Sequence, residues 1–160
     1  MKKEQRGQTV VEFAFVIPLF LLVLMGIMSF AMYFSDYIAL NNIARSVARE
    51  AALLTNEKVD KDTSELWENI RTRYVDDVPK GVDKTTYYLP NSAYTWDPST
   101  MKIEKSGTND KNVKVTLTAP VGSSGPVKAM ANIMGDSSFL NSIDIEYEMY
   151  WEKKPTETTK

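Results

Sequence analysis

Residues 7–35 read GQTVVEFAFVIPLFLLVLMGIMSFAMYFS, and from Phe13 to Ser35 no residue carries a charge. A helix rises about 1.5 Å per residue, so roughly 20 residues cross a hydrocarbon core about 30 Å thick. A buried core helix of this length would need a much larger domain around it than 160 residues provide. The stretch reads as a membrane-spanning helix. Ahead of it, MKKEQRG carries Lys2, Lys3 and Arg6 against Glu4. Positive charge close to one end keeps that end in the cytoplasm, which places the rest of the chain outside. A secretory signal peptide is the rival reading. Its apolar region normally runs about 7 to 15 residues, shorter than this one, and Ser29-Phe30-Ala31 is the nearest match to its cleavage site.

Three residues interrupt the apolar run. Pro18 removes one backbone hydrogen bond, which predicts a kink, although membrane helices also tolerate proline without using it. Gly26 is tolerated on the same grounds. Glu12 stands between Val11 and Phe13, where a carboxylate loses hydration unless something compensates it. It either reaches back into the headgroups or has a partner in the membrane.

Composition narrows the chemistry. The chain has no cysteine and no histidine, which removes disulfides, thiolate zinc sites, imidazole ligands, cysteine nucleophiles and histidine bases together. A formal charge of -2 gives no case for a nucleic-acid partner. The sequence implies neither a metal nor a cofactor.

Gly7 precedes Glu12 by five residues, after a short basic leader and at the start of the apolar run. That arrangement resembles a class III signal sequence, the substrate of prepilin peptidases. The stretch from Arg6 to Pro18, RGQTVVEFAFVIP, is similar to the opening of the TadE-like family, whose members share an RG-x4-E-F/Y start followed by apolar residues and a proline. The likeness covers Gly7 to roughly Ala52. It implies cleavage between Gly7 and Gln8, with Gln8 as the new N-terminus and Glu12 as its fifth residue, placed to meet the terminal ammonium of an adjacent subunit. Opposite charges in a low-dielectric region neutralise each other, and either one alone is costly. Phe13 takes the position where major Flp pilins carry tyrosine, which points to a minor pseudopilin over the main fibre subunit. The partners so implied are membrane lipid, prepilin peptidase, other pilin and pseudopilin subunits and the Tad secretion machinery.

Beyond Ser35 a helix-favouring composition free of Gly and Pro continues to about Leu54, so the helix should leave the membrane as a stem. Arg45 and Arg49 lie one turn apart on it, on a solvated face or facing a neighbour in a fibre. Residues 55–62 read as a polar linker, with Asp62 and Glu65 capping a helix that carries Leu66, Trp67, Ile70 and Tyr74 on one side. Trp67 falls on that stripe and is expected in the core.

The period then changes to two. Met101 and Ile103, then Val113, Val115 and Leu117, alternate with polar residues about the loop SGTNDK and predict a hairpin. Ser142 to Trp151 alternates Ile143, Ile145, Tyr147, Met149 and Trp151 against Asp144, Glu146 and Glu148, a half-buried antiparallel strand with a solvated acidic face. Val127 to Met134 is expected as a short helix and Thr85 to Leu89 as a further strand. The tail KKPTETTK lacks apolar residues and is expected to be disordered.

The fold class expected is therefore α+β: a leader over 1–7, a membrane helix over 8–35 and its continuation over 36–54. A small pilin-like domain follows over 55–152, with an antiparallel sheet of three to four strands and one or two short helices, and then a tail over 153–160. The function implied by the resemblance is that of a non-enzymatic minor pseudopilin, acting in the biogenesis of a Tad-type pilus, in adhesion and in surface colonisation. The alternative is an extracellular binding module held by an uncleaved anchor. An enzyme using only carboxylates would need two of them to converge in a pocket.

Overall fold

The computed structural model describes residues 4–57, 63–89, 91, 93–107, 112–135 and 139–150. It is α+β, as expected: one long N-terminal helix, then a small domain with a three-stranded antiparallel sheet and short helices. Helix α1 (Glu4–Glu57) has 54 residues and continues unbroken through Pro18. At 1.5 Å per residue it is about 80 Å long. From Val10 to Leu24 every residue is exposed, including Phe15 at 76%. From Gly26 one stripe becomes buried, through Ser29, Asp36, Leu40, Ala44, Val47, Ala48, Ala51 and Ala52. The steps of three and four residues keep that stripe on one side of the helix. Its alanines are short, which lets the sheet approach closely and costs no side-chain entropy.

The helix passes the expected end at Leu54 and runs through Thr55, Asn56 and Glu57. No glycine or proline stops it there, and one more turn forfeits little. The remainder of the expected linker, 58–62 with its cap Asp62, lies outside the described residues, as do 108–111 of the hairpin loop, Trp151 and the tail over 153–160.

Helix α2 (Thr63–Asp76) buries Leu66, Trp67 and Ile70 as its spacing predicts. Arg71 Nε donates to the Met101 carbonyl at 2.9 Å, fixing α2 against the segment that enters the sheet. The strand expected at Thr85 to Leu89 is instead helix α3 (Lys84–Tyr88). Threonine and tyrosine favour strands by composition, but Asp83 accepts from the Thr86 N–H at 3.1 Å and starts a helical turn. Tyr88 then donates its hydroxyl to the Tyr74 carbonyl at 2.6 Å and packs edge-on against Trp96.

Strands β1 (Lys102–Ser106), β2 (Asn112–Pro120) and β3 (Ser142–Tyr150) form the sheet in the order β1-β2-β3. Both pairings are antiparallel, with Ile103 opposite Val115 and Leu117 opposite Ile145. Val113, Val115, Leu117 and Ala119 of β2 alternate inward and are fully buried beneath α1. Each large apolar side chain so buried contributes about 1.5–3 kcal/mol. Asp144, Glu146 and Glu148 face outward as expected, and Lys114 bridges diagonally to Glu146 at 2.8 Å.

Helix α4 (Pro126–Met134) matches the short helix expected there. It starts at Gly125 and stops at Gly135, both at positive φ where a side chain would be strained.

Candidate processing and assembly site

Gly7, Gln8, Glu12, Phe13 and Pro18 all lie on α1, and Glu12, Phe13 and Pro18 fall within its bare run from Val10 to Leu24. One continuous helix positions them, so Glu12 stands about 7.5 Å along the axis from Gly7. Glu12 and Phe13 are exposed, and Glu12 has no hydrogen bond or ion pair among the described residues. Pro18 lacks the N–H that would donate to the Ala14 carbonyl, which leaves that acceptor free for another group.

The other end of the bare segment has features that sequence reasoning missed. Gly26 was expected only as a tolerated interruption, but it is buried under α4, where a Cβ would meet Met130 Cε at 3.7 Å. Ser29 Oγ donates to the Met25 carbonyl at 2.7 Å and the Pro126 carbonyl at 3.2 Å, tying α4 to α1. Phe139 packs on Phe30 and Tyr33, with ring centroids 5.6 and 5.5 Å apart. Asp36, the first charged residue after the apolar run, is fully buried. Its Oδ1 accepts from the Asn91 N–H at 3.4 Å and the Ala93 and Tyr94 N–H groups also favour the carboxylate, but burial outweighs them and pushes its pKa up. The stripe of Leu40, Ala44 and Val47, extended backwards by one turn, reaches Asp36 and was the signal available.

Arg45 is exposed with its guanidinium 5.7 Å from the centre of the Tyr147 ring, and Arg73 pairs with Glu50 across the junction of α1 and α2. Asp83 and Asp97 do line one groove. Each is engaged as a cap, however: Asp83 toward Thr86, and Asp97 toward the Ser99 N–H at 2.9 Å. That hydrogen bond, helped by Lys84 at 3.6 Å, holds the Asp97 carboxyl below the usual carboxylate range. Burial pushes the Tyr94 hydroxyl up, where it donates to the Leu140 carbonyl, and pushes Tyr88 up to about 12.

Helix α1 is long and apolar enough to cross a membrane, and none of its most apolar 18 residues is buried inside the chain. A core helix of a soluble domain would be mostly covered. Searches of curated proteins and of solved structures find no match to the chain. Among family models, that of the TadE-like protein matches residues 7–49, from the candidate processing site to near the end of the buried stripe, and so identifies this N-terminal helical segment as TadE-like.

Proposed function

We propose that this chain is a minor pseudopilin of a Tad-type pilus. The carrying observation is that Gly7 and Glu12 lie on one helix, Glu12 in its bare run, within the segment matching the TadE-like family. In this reading prepilin peptidase cuts between Gly7 and Gln8 on the cytoplasmic face. The subunit then waits in the membrane with its domain outside, and Glu12 pairs with the Gln8 ammonium of a neighbour as it joins the pilus. Two ions that are each costly alone in lipid become neutral together, which selects for correct axial stagger. The role is structural: packing and charge pairing carry it, with no turnover.

The test is the N-terminal sequence of the mature protein from cells with and without their prepilin peptidase. A start at Gln8 that requires the peptidase supports the proposal. A start at Met1 in both strains leaves an uncleaved anchor carrying a binding module, and a start after Ala31 makes the domain a secreted one.

A further inference from the structure

We infer that the outward face of α4, with Phe139 beside it, sits in the outer leaflet of the lipid bilayer, so that the domain rests on the membrane surface. This depends on α1 being a membrane-spanning helix. Of the nine residues of α4, PVKAMANIM, only Lys128 and Asn132 are polar, yet only Val127 and Ala131 are buried. Ile133 is 63% exposed and Phe139 46%. Lys128 and Asn132 share one face, and the apolar residues reach beyond the side that Val127 and Ala131 bury, which leaves Ile133 and Met134 uncovered by the chain.

Position along α1 identifies lipid as their cover. Pro126 meets Ser29, and Met130 meets Gly26, so α4 descends α1 toward its N-terminus. Ile133 and Met134 continue in that direction, toward the bare run. That run, from Val10 to Leu24, is only about 22 Å long, short of the roughly 30 Å it must cross. A span of about 20 residues beginning anywhere from Gln8 to Phe13 ends between about residues 27 and 32. Those are the turns that carry Ser29, against α4, and Phe30, against Phe139. The hydrocarbon boundary therefore reaches α4 for every starting point in that range. Lys128, near the upper end of α4, can lay its stem on the apolar face and keep its ammonium among the headgroups.

The absence of cysteine makes the test direct. Leu19→Cys, Ile133→Cys and Glu104→Cys, each carrying an environment-sensitive fluorophore, are prepared in the full chain. They are reconstituted in phosphatidylcholine–phosphatidylglycerol vesicles holding spin-labelled lipid at a shallow or a deep position. Quenching at Ile133 by the shallow label should exceed that at Glu104 about threefold, as for a group about 5–10 Å into the headgroup and acyl boundary. Leu19 should respond most to the deep label. A Phe139→Cys label gives an independent reading should Ile133→Cys disturb α4. If Leu19 is quenched while Ile133 and Phe139 behave as Glu104 does, the inference is overturned and the spanning helix stands. If Leu19 is not quenched, both fail.

Discussion

The two halves of α1 share one backbone and one hydrogen-bond pattern, yet differ in what they are built to touch. From Val10 to Leu24 the side chains, apart from Glu12, Ala14 and Pro18, are bulky Phe, Leu, Val and Ile, all of them exposed. From Gly26 to Ala52 the buried stripe is made largely of small residues, while the other faces stay uncharged through Ile38 and carry Arg45, Arg49 and Glu50 only beyond it. Lipid tails accommodate any bulk, whereas a β-sheet packed across a helix demands short side chains in register. Within a single helix, then, side-chain size and periodicity together identify the partner.

Substitutions should separate the halves. The largest effect is expected at Glu12→Gln, which on the proposed pairing would leave a neighbour's ammonium unpaired at about 3–5 kcal/mol and so reduce assembled pili at least about tenfold. Thermal unfolding of the domain should not change. Normal piliation, counted by electron microscopy, would remove Glu12 from assembly. Leu117→Ala should do the reverse, costing the domain about 2–5 kcal/mol while leaving extraction from membranes as in the parent. If circular dichroism shows no fall in Tm, the β2 core is not the seat of stability.

Asp36→Asn sharpens the boundary between the halves. Burial disfavours the Asp36 carboxylate more than the Asn91, Tyr94 and Ala93 N–H groups favour it, so a neutral amide should cost less and stability should rise by about 1 kcal/mol. A loss would show that the charge is compensated in the membrane-bound protein. Smaller still are two pH effects. Tyr88 has its folded value raised from 10.0 to about 12. Its contribution is full below the unfolded value and is lost as pH rises through the folded one, so unfolding should ease across that window. Tyr88→Phe should flatten the trend. Asp97 is shifted the other way, so its contribution holds above the usual carboxylate range and fades as pH falls through its depressed value. Asp97→Ala should abolish that acid-side slope in a urea titration.

Much of this architecture was legible because periodicity is a local signal. Ile143, Ile145 and the outward Asp144, Glu146 and Glu148 announce a half-buried strand without knowledge of any neighbour, and Leu66, Trp67 and Ile70 announce a helix face. What was not legible depended on contacts distant in sequence. Nothing near Gly26 says that Met130 will lie over it. Thr85 to Tyr88 look like a strand until the Asp83 cap is weighed against propensity. Asp36 reads as the start of a soluble stem, and only the return of the 93–94 segment shows it buried. The candidate site was visible as a spacing, Gly7 to Glu12, and the bareness of Glu12 on the folded chain could be seen only once the domain was found to stop at Gly26.

The sheet has a further consequence for a protein concentrated on a surface. β1 is an edge strand, and an open edge is a template on which copies can add to one another. It is only five residues long, and Lys102, Glu104 and Lys105 are exposed along it. A neighbour pairing there in parallel register would stack like charge on like charge and desolvate both ammonium groups. Crowding many copies together therefore leaves strand-to-strand stacking through β1 disfavoured.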